Sequence, residues 1–345
     1  MKVAIVGATG YGGAELIRLL NHHPEAEIVT LHSSSQQGLK YSESYPHLHD
    51  IWNDNLVDIN PEEMAKKVDL VFLATPSGIS SKLTPQLKEQ GLKVIDLSGD
   101  LRLKNSEDYE RWYKKDAAPN EILEEAVYGL PEWFKEEIQN AEILANPGCY
   151  PTAVTLGLAP LLQQDLIALD TLIIDAKSGV SGAGRSPSAA THFAELNDNF
   201  KIYKVNQHQH IPEIEQTLRR WNEAVQPITF STHLVPMTRG IMATMYAKAK
   251  SEFSTEQLLE IYYEAYHEKP FVRVRPKGVF PSTKEVYGSN YCDIGLAYDE
   301  RTGRITVVSV IDNLVKGAAG QAIQNFNIMM GLDERTGLNF IPVYP

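Results

Sequence analysis

Cysteine is scarce in this chain: Cys149 and Cys292 are the only two. Two widely separated thiols cannot build a disulfide framework or a four-thiolate metal site. No HExxH or comparable ligand pattern compensates, so no metal is expected. Positive charge is also short, with 32 Lys and Arg against 44 Asp and Glu and a net charge of −12. Such a surface is ill suited to the phosphate contacts of nonspecific nucleic-acid binding, although a local basic pocket for a small anion stays open. No apolar run approaches the roughly 20 residues that span a bilayer. Internal repeats and low-complexity segments are missing, and the opening Met1–Gly7 enters strand-like sequence without a signal-peptide pattern. The expectation is a cytoplasmic protein in a reducing setting, with neither nucleic acid nor membrane as partner. What is present is apolar material for a packed core: 43% hydrophobic and 22% charged residues over 345 positions. At roughly 100–200 residues per domain, that length suggests two domains.

The first half has the order of a dinucleotide-binding unit. Residues 2–6 are apolar and β-branched, as in a buried parallel strand. A glycine turn follows, Gly7-Ala8-Thr9-Gly10-Tyr11-Gly12-Gly13, and then helix-forming sequence over 14–20. Glycines at this place permit a tight turn and close approach to a pyrophosphate, which the helix amino terminus attracts. The spacing is G-x-x-G-x-x-G rather than the commoner G-x-G-x-x-G. A second strand over 27–31 ends without the Asp or Glu expected about 20 residues beyond the turn of an NAD enzyme. Ser33, Ser34, Ser35 and Lys40 stand there instead, which favours the 2′-phosphate of NADP. Further strands are expected over 69–74 and 93–97. Thr75-Pro76 and the run Asp96-Leu97-Ser98-Gly99-Asp100-Leu101-Arg102 lie at their carboxyl ends, where ligands of open α/β sheets bind. Arg102 is a candidate anion clamp, with structural pairing to Asp96 or Asp100 as the alternative.

The centre carries the chemistry. In Asn146-Pro147-Gly148-Cys149-Tyr150-Pro151-Thr152, Pro151 suits the first turn of a helix over 153–162. Cys149 then sits at or just before a helix amino terminus, which favours the nucleophilic thiolate. Cys292 lies in strand-like sequence and reads as core. A strand over 172–176 leads into a donor-rich loop, Ser178-Gly179-Val180-Ser181-Gly182-Ala183-Gly184-Arg185, suited to an anionic group. His208-Gln209-His210 precedes a helix opened by Pro212 and supplies a general acid/base. The remainder reads mainly as strands, over 230–236, 240–248, 271–274, 290–298 and 304–311, with a helix over 255–267. Arg239 is another candidate anion-binding residue. The stretch from Asp312 leads into a helix of small and apolar residues that is expected to return to the first sheet.

With these segments in order, the chain resembles the N-acetyl-γ-glutamyl-phosphate reductases, over essentially its whole length. The resemblance rests on the Asn146–Ala153 run, with Gly157 and Pro160 after it, and on Gly7–Gly13, Asp96–Arg102, Ser178–Arg185, His208–Ile214 and Val235–Gly240. Gln209 stands where the family often has Arg. The resemblance implies a Rossmann-type dinucleotide-binding domain over 1–147 and 314–345. It also implies an α+β domain with a mixed or antiparallel sheet over 148–313, for catalysis and oligomerisation. Further implied are NADPH as cofactor, an acyl-phosphate substrate, a Cys149 thioester and a dimer or tetramer. His210, ahead of His208, manages protons. Arg102, Ser181, Arg185 and Arg239 surround phosphate or carboxylate. Gly7, Thr9, Gly10, Tyr11, Gly12, Gly13, Ser33, Ser34, Ser35, Lys40, Thr75, Pro76, Ser178, Gly179 and Gly182 hold the cofactor, with Asn313 and Gly317 near its nicotinamide. The alternatives are an aminoadipyl-phosphate or aspartyl-phosphate reductase of the same architecture and a non-catalytic nucleotide-binding interaction protein.

Overall fold

A computed structural model describes all residues, Met1–Pro345. The chain divides into two units, Met1–Pro147 with Ala318–Asn339, and Gly148–Gly317 with Phe340–Pro345.

The first unit is built on a six-stranded parallel sheet. Its strands are β1 (Lys2–Val6), β2 (Glu27–His32), β3 (Leu70–Leu73), β4 (Lys93–Asp96), β5 (Val127–Tyr128) and β6 (Ile143–Ala145), in the order β2-β1-β3-β4-β6-β5. Val3, Ile5, Leu70, Phe72, Val94 and Ile95 are fully buried, as central parallel strands covered on both faces require. The helix Tyr11–Leu20 follows β1 directly. The helix Gly320–Met329 is buried along its length, and Phe326 packs on Phe72 with ring centroids 5.9 Å apart. It also buries amides that are used: Asn325 Nδ2 donates to the Gly129 carbonyl (2.8 Å) and to Asn146 Oδ1 (3.0 Å).

The second unit has a seven-stranded mixed sheet. Its strands are β7 (Ile167–Gly179), β8 (Lys201–Tyr203), β9 (Thr229–Val235), β10 (Ile241–Ala249), β11 (Val272–Val274), β12 (Cys292–Asp299) and β13 (Arg304–Ile311). The order is β11-β12-β13-β10-β7-β9-β8, antiparallel except for the β11–β12 and β7–β9 pairs. The helices Cys149–Gln163 and Thr255–Tyr266 pack on it. Along β10 buried residues alternate with half-buried Met242, Thr244 and Tyr246, the period of a sheet with one covered face. β7 is longer than the sequence suggested. Ser178 and Gly179 pair with Leu234 and Val235, so they belong to the strand rather than to a loop.

The return to the first unit comes at Ala318, later than the expected 314. The physical reason is Asp312, whose carboxylate and carbonyl retain residues 314–317 in the second unit through the Leu314, Val315 and Gly317 N–H groups. The terminal segment also rejoins that unit, where the Val343 N–H donates to the Tyr287 carbonyl at 2.8 Å.

Candidate active site

In the first unit the glycine turn is tightly built. Gly7 has φ +82°, and a side chain there would run into the Ala74 carbonyl at the end of β3. Its N–H and that of Ala8 donate to the His32 carbonyl at 3.0 and 3.2 Å, tying the turn to the end of β2. Gly10 caps the helix that begins at Tyr11 without a side-chain cap, and the first turn holds no acidic residue. That leaves N–H groups and positive partial charge for an anion. The Thr9 and Ser33 hydroxyls lie 3.4 Å apart, and Ser35 is 3.4 Å from Ser33. Ser33 is buried, while Ser34, Ser35 and Lys40 are exposed. Gly12 and Gly13 form the first turn of the helix, and Tyr11 leads it with its side chain partly open. Two residues that sequence reasoning passed over brace this turn. Tyr41 Oη donates to the Ala8 carbonyl (3.2 Å) and Tyr45 Oη to the Thr9 carbonyl (3.1 Å). Tyr41 opens a short helix that ends at Ser44, and Tyr45 caps it.

Thr75 and Pro76 lie in the turn after β3, with the Thr75 hydroxyl 3.0 Å from that of Ser80. Asp100 shapes this turn. Its buried carboxylate accepts the Gly78 and Ser81 N–H groups and the Tyr109 hydroxyl (2.6 Å). Burial, with the Asp100 charge beside it, pushes Asp96 up from the usual carboxylate range. Arg102 is buried, with Nε donating to the Asn146 carbonyl and Nη2 to the Leu97 carbonyl, both at 2.8 Å. These bonds make it a brace of the segment that precedes Cys149 in sequence.

In the second unit Cys149 is the first residue of its helix and half-buried. The helix is capped by Gly148, whose N–H donates to Glu213 Oε1 at 2.8 Å. Glu213 is fully buried in the first turn of the helix His210–Leu218. Glu213 lies in the His208–Ile214 run, and its role is invisible there because only the fold brings residues 148 and 213 together. His210 is itself the first residue of that helix, where the sequence placed it just ahead. Pro212 does not delay the helix, since first-turn N–H groups have no helical acceptor.

The two histidines differ. The His208 ring is enclosed by Tyr150, Tyr203, Phe230 and His210, at centroid distances of 5.4, 5.7, 5.7 and 4.7 Å. Its Nδ1 accepts the His210 N–H at 3.2 Å. Burial, assisted by the Lys204 charge, pulls its pKa down to about 3. His208 is therefore neutral near pH 7. The Tyr150 and Tyr203 hydroxyls lie 3.2 Å apart. Burial raises both, Tyr203 to about 12, with negative charge at Cys149 contributing to each rise.

Gly317 lies so close to Cys149 that a Cβ placed on it would stand 2.8 Å from the Cys149 Cβ. Asn313 Oδ1 accepts the Gly240 N–H (2.8 Å), and its Nδ2 donates to Ser181 Oγ (3.0 Å). The backbone of 179–181 is bonded to that of 237–240, with Ser181 N–H to the Thr238 carbonyl at 3.1 Å. Ser178 and Ser181 are buried, whereas Gly182 and Arg185 are exposed. Arg239 pairs with Asp312 at 3.6 Å and lies over the Tyr287 ring at 5.8 Å. Cys292 is core, with Sγ 3.3 Å from Ser309 Oγ, and no cluster of metal-ligating residues exists.

Residues 2–141 match the family described as "Semialdehyde dehydrogenase, NAD binding domain", and residues 149–313 match "Semialdehyde dehydrogenase, dimerisation domain". An N-acetyl-gamma-glutamyl-phosphate reductase of Geobacillus sp. (strain WCH70) is 64% identical over 345 residues, covering 100% of both chains. The protein of that name from Bacillus subtilis (strain 168) is 59% identical, again over 100% of both. Among solved structures, aspartate semialdehyde dehydrogenase II of Vibrio cholerae, complexed with ASA, has a TM-score of 0.71 at 18% identity, covering 96% of this chain and 98% of that one. The aspartate semialdehyde dehydrogenase of Candida albicans, solved with NADP, has a TM-score of 0.70 at 17% identity, covering 95% and 98%. At such identities these structures establish the fold.

Proposed function

The chain belongs to the N-acetyl-γ-glutamyl-phosphate reductase family, and from that premise we propose a reaction in which each element of the site has a part. The chain is a nicotinamide-dependent oxidoreductase of amino-acid biosynthesis. It reduces N-acetyl-L-glutamyl 5-phosphate to N-acetyl-L-glutamate 5-semialdehyde and phosphate, a step toward arginine. The observation that carries the reading is Cys149 at the head of a buried helix whose cap is held by Glu213 from the first turn of the His210 helix.

The dinucleotide fits the residues present. The uncapped helix amino terminus after Gly10 suits the pyrophosphate. The hydroxyls of Thr9, Ser33, Ser34 and Ser35, with Lys40, suit a 2′-phosphate, so the cofactor is NADPH rather than NADH. When bound, the reduced nicotinamide supplies the hydride that this two-electron reduction needs. Thr75, Pro76, Ser178, Gly179, Gly182, Asn313 and Gly317 are the further residues proposed to hold it.

The chain's own residues do the rest. Cys149 sulfur attacks the acyl carbon, the bond to the phosphate oxygen breaks, and phosphate leaves. The acyl group is held as a thioester and is released as the aldehyde when the C–S bond breaks. His210 takes the thiol proton and manages the proton of the tetrahedral oxygen. His208, held neutral, orients His210 through the bond to its N–H. Backbone N–H groups at the start of the Cys149 helix stabilise the oxyanion. Ser181, Arg185 and Arg239 receive phosphate or carboxylate, and Arg102 steadies the approach to Cys149. No helix is long and apolar enough to cross a membrane. A cytoplasmic enzyme is proposed, as a homo-oligomer formed through the half-open sheet face near Ile173, Met242 and Tyr246.

The test is the reverse reaction. Protein, NADP, phosphate and N-acetylglutamate semialdehyde should raise absorbance at the reduced-nicotinamide band. If phosphate produces no rise, the reading is lost. A panel with aspartyl and aminoadipyl analogues should show the N-acetylglutamyl substrate strongly preferred.

A further inference from the structure

Asp312 is fully buried and is not part of the chemistry described above. It terminates β13, where the chain leaves the sheet for a π-helical turn, Val315–Ala319. Its Oδ1 accepts the Leu314 N–H at 2.8 Å and the Val315 N–H at 3.1 Å. Its Oδ2 accepts the Gly288 N–H at 2.8 Å and faces Arg239 Nη1 at 3.6 Å. Its own carbonyl accepts the Gly317 N–H at 2.9 Å. One residue thus holds the start of the turn, through Leu314 and Val315, and Gly317 within it. π-Helical turns are uncommon, and they often occur at functional sites. Here the turn serves a contact so close that it excludes any side chain: a Cβ on Gly317 would lie 2.8 Å from Cys149 Cβ and 3.2 Å from its Cα. The next residue along, Asn313, turns the other way and holds Gly240 and Ser181.

We propose that Asp312 is a positioning residue for the nucleophile: its carboxylate holds the π-helical turn that seats Gly317 against Cys149 and so sets where the sulfur points. The inference rests on Cys149 being the nucleophile, and it adds what aims it. The charge matters as well as the shape. Four groups converge on the carboxylate, three N–H donors and a guanidinium. An amide in its place keeps one acceptor oxygen but directs an NH2 toward the Gly288 N–H and Arg239.

The experiment measures Cys149 itself before turnover. Iodoacetamide alkylation is followed against pH by mass spectrometry, site by site, for wild type, Asp312→Asn and Gly317→Ala. Thermal stability, kcat and KM are measured alongside. Wild type should be alkylated rapidly at Cys149. Asp312→Asn should slow alkylation, shift its pH midpoint, and lower kcat about 10- to 100-fold with KM changed by less than about threefold, the pattern of a misplaced reacting atom. Gly317→Ala tests the same contact without touching the carboxylate and should give the same pattern, so a poorly folding Asp312 variant leaves the inference testable. An unchanged alkylation profile and kcat in folded Asp312→Asn, whatever its Tm, would make Asp312 a purely structural residue and overturn the proposal. An unreactive wild-type Cys149 is a different result: it removes the nucleophile, and the positioning role with it.

Discussion

Glu213 accepts the N–H of Gly148 at 2.8 Å, so a carboxylate at the start of one helix holds the cap of the helix that Cys149 begins. The bond is fully buried on the Glu213 side, where loss of the acceptor leaves a donor without a partner. Glu213→Ala should therefore lower stability by about 1–3 kcal/mol, read by urea unfolding. Glu213→Gln retains an oxygen for Gly148 and should keep most of that stability. Equal losses in the two variants would remove the capping role.

Cys149→Ser replaces the proposed thiolate nucleophile by a poor one at the same helix position. Turnover should fall by about 10³-fold or more. The thermal shift produced by NADP should persist, because the glycine turn at Gly7–Gly13 is untouched. Substantial remaining activity would exclude a thioester route.

The two histidines should separate by pH. Burial pulls the His208 pKa down to about 3, from about 6.5 for an imidazole in water. Between these values the unfolded chain binds the extra proton, so stability is full above about pH 6.5 and declines as pH falls toward 3. His208→Asn keeps an acceptor for the His210 N–H. It should flatten the acid limb of a stability–pH curve by an amount on the order of a few kcal/mol. An unchanged limb would show that His208 is not held neutral.

Cofactor preference should follow the end of β2. Ser33→Asp places a carboxylate where a 2′-phosphate is proposed, and should reduce NADPH affinity about tenfold or more relative to NADH. Lys40→Ala should weaken NADPH binding with NADH unaffected. Equal affinity of the wild type for the two cofactors would remove the role given to these residues.

Much of this fold was legible because its signals are local. The apolar run of β1, the glycines after it and Pro151 in the first turn of the Cys149 helix each specify structure within a few residues. Strand ends were harder. Ser178 and Gly179 look like loop residues, yet the pairing with Leu234 and Val235 makes them strand. That pairing partner is far away in sequence. The same holds for Glu213, Tyr41 and Asp312, whose roles are hydrogen bonds to backbone groups of distant segments. A backbone N–H or carbonyl leaves no mark on residue type, so nothing at Gly148, Ala8 or Gly288 announces its partner. Asp100 and Glu213 lie within the Asp96–Arg102 and His208–Ile214 runs, but their chemistry is visible only once the turns they hold are formed.

The helix Gly320–Met329 is synthesised after the whole of 148–317, yet it packs on the first sheet. Until it emerges, Phe72 lacks Phe326, and the Gly129 carbonyl lacks the Asn325 amide. The first unit therefore cannot finish its core until this late segment has been made, and a chain stopped before Ala318 should expose the first sheet to chaperones and proteases.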